Sequence, residues 1–317
     1  MDVPRIALSV PPELPLDTLP PGVPDDYGIP TLGWGILAWS LGVPFHQPNG
    51  PRAGGPFRPT LRQVRFLLWW YALDEHGGFV FRHGVRRLAK GSGKSPFAAF
   101  LALCELCGPV RFDRWDAEAP GGAVGKPVGM PLVQIAATSL DQTSNTMRMA
   151  RAFAASSRDG RTPLARRYRL ETGKTQVVRP GVGGGDLKVI TSSAAGAEGG
   201  EPSTVVADET EHWGYSNGGF DLWEVLDRNL AKTGSRMIET CNAWAPGSGA
   251  VAEATWDAFV AQEEGKLRGE SLILYDCLEM PVAVDWSDES SLLAGLDVVY
   301  QDCDWVNRRV IAERIWS

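Results

Sequence analysis

The sequence predicts an α/β fold with a mainly parallel sheet covered by helices on both faces. Three observations carry this prediction. From about residue 79, apolar runs of strand length alternate with amphipathic segments of helix length. One strand–helix junction, residues 85–95, falls into a glycine turn ending Gly93-Lys94-Ser95. A second apolar strand, Thr204-Val205-Val206-Ala207, ends in two adjacent carboxylates, Asp208-Glu209. In sheets of this kind ligands sit at the carboxyl ends of the strands. Lys94, Asp208 and Asn242 each follow a predicted strand, so they can converge.

The elements follow in order. Residues 1–57 are rich in Pro and Gly and predict an irregular arm wrapped on the body, broken by one helical patch at 33–41. From Thr60, apolar residues at 61, 64, 66, 67, 70, 71 and 73 mark one helix face, which Gly77-Gly78 should end. Short strands at 79–81 and 85–89 lead into the glycine turn, and a helix at 95–107 follows it. A strand at 132–137 and a helix at 141–155 come next. Residues 175–178 and 186–190 flank a glycine-rich turn and predict a hairpin. Strand 203–209, helix 219–231, strand 236–241, helix 250–265 and strand 271–278 continue the alternation, and one helix over 297–315 closes it. The arginines at 158, 161, 166, 167 and 169 suggest a basic helix, either a phosphate-contacting segment or a solvated charged face.

Composition narrows the class. The chain has 317 residues, 44% apolar and 22% charged, as ordinary globular domains have. A net charge of −7 rules out a uniformly basic surface, so any contact with nucleic acid must be local. Five cysteines form no disulfide framework and suggest a reducing compartment. Cys104 and Cys107 have redox or zinc spacing, but they lie in an apolar helix with no second ligand pair, which favours buried structural thiols. No signal segment and no apolar run of about 18 residues is present, so a cytosolic protein is expected.

The glycine turn has the ending of a phosphate-binding loop. Backbone amides of Gly91, Ser92 and Gly93 would face phosphate oxygens, Lys94 would reach the terminal phosphates and Ser95 would ligate Mg²⁺. The positive end of the following helix dipole favours the same anion. The usual first glycine is replaced by Leu88. In a nucleotide hydrolase with this loop, the first acid of Asp208-Glu209 would hold the metal and the second would polarise the attacking water. A solvated strand end is the plainer reading of the two acids.

Four stretches together resemble the ATPase domain of the tailed-bacteriophage terminase large subunit, nearest to its actinobacteriophage branch. They are Lys90-Gly91-Ser92-Gly93-Lys94-Ser95, Ala136-Ala137-Thr138-Ser139 with Gln142 and Asn145, residues Val205 to Trp213, and Thr240-Cys241-Asn242-Ala243. The resemblance spans about residues 58–280. It implies a P-loop NTPase of the ASCE type, with ATP and Mg²⁺ as cofactors, and it accommodates Leu88. It implies that Lys94 and Ser95 meet the phosphates and Mg²⁺, Asp208 holds the metal, Glu209 is the catalytic carboxylate, and Thr240 and Asn242 couple hydrolysis to movement. Lys90 matches a basic position of the family's loop. Gln63 stands where the family keeps an adenine-reading glutamine, which suits an amide that both donates and accepts; an exposed polar helix residue is the alternative.

A positive charge on the transition state could come from Lys90 in cis, or from Arg148 or Arg151 in trans; Arg86 and Arg87 precede the turn and fit less well. His212 is expected to pack beside the carboxylates. The implied partners are double-stranded DNA, the portal and small terminase subunit, and further copies of the chain in a ring, in the host-cell cytoplasm. Residues 281–317 predict a helical linker or lid, with no room for the family's nuclease domain. Two other readings stay open: a helicase-like translocase, and a nucleotide-binding assembly module without turnover.

Overall fold

The computed structural model describes residues 29–43, 45–157, 160–192, 200–266 and 272–316. The first part of the expected arm, the Gln142 side chain and Arg158 lie outside the described residues. Helix α1 (Gly33–Gly42) packs on α2 (Leu61–Trp70), which leads to strand β1 (Phe81–Arg87), the glycine turn and α3 (Lys94–Cys107). A hairpin, β2 (Arg111–Trp115) and β3 (Ala123–Lys126), precedes β4 (Leu132–Ala137) and α4 (Leu140–Phe153). The short strands β5 (Ser156–Ser157) and β6 (Gly160–Arg161), helix α5 (Pro163–Tyr168) and strands β7 (Glu171–Thr172), β8 (Gln176–Arg179) and β9 (Gly185–Thr191) follow. Then come β10 (Thr204–Asp208), α6 (Gly219–Thr233), β11 (Arg236–Cys241), α7 (Val251–Glu263), β12 (Leu272–Cys277), α8 (Glu289–Val299) and α9 (Arg308–Trp316).

The main sheet has eight strands in the order β12-β1-β11-β10-β4-β9-β8-β7. The first six run parallel, and β8 and β7 add an antiparallel edge. Strand β11 lies between the strand of the glycine turn and the strand of the acids. This is the mainly parallel α/β sheet that was expected, and its strand order is consistent with a P-loop NTPase. Side chains alternate across it. Val206, Ile238 and Leu274 join the core under α2, α3 and α4, whereas Val205, Ala207 and Met237 pack with Leu222, Leu226 and Leu230 of α6. Burial on both faces is why these strands read as continuous apolar runs. Leu32, Ile36, Phe45 and Phe57, all in the expected arm, belong to the first of these cores.

Several elements differ from the prediction. Helix α2 stops at Trp70, before Gly77-Gly78, because Ala72 and Leu73 leave the helix to bridge Thr31 and Phe79. Strand β1 is continuous where two pieces were expected. Gly84 lies at its centre, and a Cβ there would sit 2.8 Å from the Trp70 ring, so only glycine admits α2 this close. Hairpin β2–β3 was not foreseen, since its charged sequence alternates weakly. The basic segment is helical only over α5, which Thr162 caps and Arg169 ends at φ 53°. The single helix expected over 297–315 is two: Asp288 caps α8, and a turn at residues 300–307 separates it from α9. All five cysteines are buried free thiols, as was expected of Cys104 and Cys107. No helix among the described residues is long and apolar enough to cross a membrane.

Candidate nucleotide site

The parallel register aligns the carboxyl ends of the central strands. Arg87 pairs with Cys241 and Cys277, and Asp208 pairs with Thr240. The residues that follow, on the loop after β1, the turn after β10 and the chain after β11, therefore meet at one edge. Leu88 is buried and its amide donates to the Cys241 carbonyl at 3.2 Å, which prolongs strand pairing to the start of the turn. A leucine fits there because the residue still behaves as strand core.

The turn then reverses through Gly91 (φ 91°) and Gly93 (φ 80°) and enters α3 at Lys94. Both glycines occupy the left-handed region that disfavours a Cβ. Lys94 curls back over the turn. Its Nζ donates to the carbonyls of Leu88 (2.6 Å) and Ala89 (3.1 Å) and to Asn242 Oδ1 (2.8 Å). The Asn242 amide donates in turn to Glu211, whose side chain is only 3% exposed. Burial lowers the Lys94 pKa, opposed by the carboxylates of Glu211 and Asp208 and by the Cys241 thiol. Ser95 opens the helix, half-buried.

Asp208 is buried at the tip of β10. Thr240 Oγ1 donates to its Oδ1 at 2.5 Å, and Oδ2 has no hydrogen-bond partner. Burial pushes its carboxyl up to about 6, with Glu209 and Glu211 adding to the rise and the hydroxyls of Thr146 and Thr240 opposing it. Thr146 Oγ1, on α4, is likewise buried without a geometric hydrogen bond. An orphaned buried carboxylate oxygen is costly, and a hard cation would satisfy it. Oxygen donors from Asp208 and Ser95 suit Mg²⁺, which takes few protein ligands and completes its shell with water and phosphate. No cluster of three or more His, Cys, Asp or Glu that could hold a metal ion occurs among the described residues.

Glu209 has φ 58°, an uncommon conformation for a residue with a Cβ, which costs on the order of 1 kcal/mol or more. The turn after it is over-determined. Thr210 Oγ1 donates to buried Glu239, which also accepts from Thr255 (3.0 Å) and faces His83 Nε2 at 3.1 Å. The buried Trp213 indole donates to the Asp208 carbonyl at 3.0 Å. These contacts fix the turn while leaving the Glu209 side chain only partly buried.

Gln63 reaches the loop from α2. Its Oε1 accepts the Thr60 amide in a capping box, and its Nε2 lies 3.5 Å from where a Gly93 Cβ would stand. It is 4% exposed, so it is not a solvated helix residue. Lys90 is exposed on the turn. Arg148 and Arg151 are exposed on α4, and neither joins the contacts just described. Arg86 is committed elsewhere: it is buried, pairs with Asp276 at 2.9 Å and lies over the Phe66 and Phe97 rings. Arg87 lies over Trp244 and Trp256 and pairs with Glu279. His212 does not pack as expected. Its side chain is 55% exposed, 3.8 Å from Glu211, because the tight turn at Thr210–His212 points it outward.

Two participants carried little signal in the sequence. Glu211 is an acid in an acid-rich stretch, and only the fold places it against Asn242. The turn at 300–307 reads as polar helix, yet Tyr300 Oη, Trp305 Nε1 and Cys303 Sγ donate to the carbonyls of Lys90 (2.9 Å), Gly91 (2.8 Å) and Ser92 (3.7 Å).

Comparison with known proteins places this geometry in context. No protein-family model matches the chain. The Gene 13 proteins of Mycobacterium phage L5 and Mycobacterium phage D29 are each 38% identical over 275 residues, covering 79% of this chain and 44% of each relative. The chain thus spans less than half the length of the curated relatives it matches. The crystal structure of the HK97 bacteriophage large terminase superposes with a TM-score of 0.63 at 16% identity, covering 90% of this chain and 51% of that one. The chain therefore shares its fold with about half of that large terminase.

Proposed function

We infer that the chain is an ATP-hydrolysing motor region of a phage terminase large subunit, which drives double-stranded DNA into a prohead. The observation that carries this reading is the convergence at one sheet edge of Lys94, Asn242 with Glu211, and the orphaned Asp208 carboxylate. Each residue has a task that chemistry assigns. Amides of Gly91, Gly93, Lys94 and Ser95 cradle phosphate, while that of Ser92 closes the turn on Ala89, and Lys94 exchanges its loop carbonyls for phosphate oxygens. Ser95 and Asp208 would hold Mg²⁺, which neutralises charge between the terminal phosphates when bound. Glu209, aimed by its left-handed backbone, orients and polarises the attacking water. Lys94 leaving Asn242 would release Glu211, so occupancy of the loop is felt at the end of β11 through Asn242 and Thr240. The free amide edge of Gln63 reads adenine. Arg148, exposed on α4, or Lys90 on the turn supplies charge to the transition state, Arg148 across a subunit contact in a ring.

The duplex contact we assign to the antiparallel edge. Residues 160–192 carry seven basic and two acidic residues in a chain of net charge −7. Arg167, Arg169 and Arg179 line an open groove of about 470 Å³ with Pro127, Pro180 and Val182, and none of its lining residues is acidic. The β8–β9 turn lies beside Pro131 at the amino end of β4, so this groove is at the sheet end opposite the glycine turn. Arginines of this kind grip phosphates without reading bases. Portal, small terminase subunit and ring neighbours complete the proposed assembly in the host cytoplasm.

The test is ATP turnover with Mg²⁺, with and without duplex DNA, in the wild type and in Glu209→Gln. A loss of about a hundredfold or more is expected for the variant. Turnover unchanged by the substitution would remove Glu209 from catalysis; absence of turnover in every oligomeric state of the wild type would favour the assembly-module reading.

A further inference from the structure

We propose that the turn between α8 and α9 is a positioning clamp for the glycine turn, with Tyr300 and Trp305 as its two main donors; this rests on the nucleotide-site reading above. Five consecutive carbonyls of the turn, residues 88–92, all receive side-chain donors. Lys94 takes those of Leu88 and Ala89. The other three go, in order, to Tyr300 Oη, Trp305 Nε1 and Cys303 Sγ. The amides behave oppositely. Those of Gly91, Gly93, Lys94 and Ser95 have no acceptor among the described residues, whereas the Ser92 amide closes on Ala89. A peptide whose carbonyl is fixed on one side presents its N–H on the other. Holding the Lys90 and Ser92 carbonyls therefore orients the Gly91 and Gly93 amides for an anion before it arrives, and holding the Gly91 carbonyl orients the Ser92 amide that closes the turn on Ala89.

The clamp is itself anchored. Asp302 accepts the backbone amide of Arg62 at 2.9 Å, and Arg62 pairs with buried Asp276, which also holds Arg86 of β1. Asp304 pairs with Arg52. The same turn thus ties the amino end of α2, next to Gln63, to the loop. The Trp305 ring edge lies 3.2 Å from the position a Gly93 Cβ would take, so the indole also fills the space behind that glycine. Ala89 and Val306 both pack against the α8–α9 core. The link runs both ways. Phosphate that orders the amides tightens the carbonyl contacts, so α8 and α9 feel nucleotide occupancy through two side chains.

Tyr300→Phe and Trp305→Phe each delete a donor while keeping a ring. Two readouts separate the clamp from the site it serves. Amide hydrogen exchange at Leu88 and Ser92, the hydrogen-bonded amides of the turn, tests the clamp alone in the nucleotide-free chain, and calorimetric affinity for Mg²⁺-ATP tests its consequence. Each variant should speed loop exchange and weaken ATP binding roughly fivefold, with the unfolding midpoint held. Unchanged exchange overturns the clamp whatever the affinity. Faster exchange with wild-type affinity overturns its positioning role. No ATP binding by the wild type overturns the nucleotide-site reading and, with it, the function given to the clamp. If a variant loses its cooperative unfolding, Tyr300→His, which retains a donor, decides: near-wild-type exchange supports the hydrogen bond, and fast exchange overturns it.

Discussion

Replacing Asp208 by Asn should stabilise the protein without metal, the reverse of what removing a charged active-site residue usually does. The reason is the direction of its titration. Burial raises the carboxyl from an ordinary 3.8 to about 6 in the folded chain. A carboxyl raised on folding binds its proton more tightly in the native state. Its stabilising effect is therefore complete below about pH 4 and lost as pH rises through 6. At pH 8 the ionised group costs about 3 kcal/mol, taking about 1.4 kcal/mol per pH unit. Asn is neutral, can keep the Thr240 hydroxyl on its carbonyl, and offers an N–H to the Thr146 hydroxyl that acts on Asp208. Unfolding entropy of about 2.1 cal/mol/K per residue turns 3 kcal/mol into roughly 4–5 °C for 317 residues. The assay is calorimetric melting in a chelator at pH 8 and pH 4.5. Asp208→Asn should melt higher at pH 8, with the difference falling to about a third of that at pH 4.5. With Mg²⁺-ATP at pH 8 the order should reverse, because only the wild type gains binding energy. A variant that melts lower at pH 8 in chelator, or a difference independent of pH, would refute the reasoning.

Two more predictions concern other parts of the chain. Substituting Arg167, Arg169 and Arg179 together by Ala should reduce duplex affinity equally for all sequences and lower the slope of log affinity against log salt by up to about three; an unchanged slope would move the DNA contact elsewhere. Gly84→Ala sets a methyl 2.8 Å from the Trp70 ring and should cost about 1–3 kcal/mol in urea unfolding, with no change if α2 can shift away freely.

The sequence was most legible where burial imposes a pattern. Strands β4, β10 and β11 read correctly because both faces are covered and the apolar runs have no gap. Lys94, Asp208 and Asn242 could be placed at one edge because each ends or follows a strand of a parallel sheet. Hairpin β2–β3 was missed because its side chains are mostly half-exposed and charged. The break between α8 and α9 was missed because Asp302, Asp304 and Trp305 read as helix surface until their partners, Arg62, Arg52 and Gly91, are brought near.

The sequence by itself determined the fold class, the parallel edge and the residue types gathered there, because strand periodicity and glycine conformations are local properties. Only the tertiary structure decided that Lys94 is held by Asn242, itself bound to Glu211, that Asp208 keeps one oxygen unsatisfied, and that the loop carbonyls rest on Tyr300, Cys303 and Trp305. Those contacts join residues separated by up to 214 positions. A hydrogen bond over such a separation depends on how strands and helices are packed, and no local pattern records it.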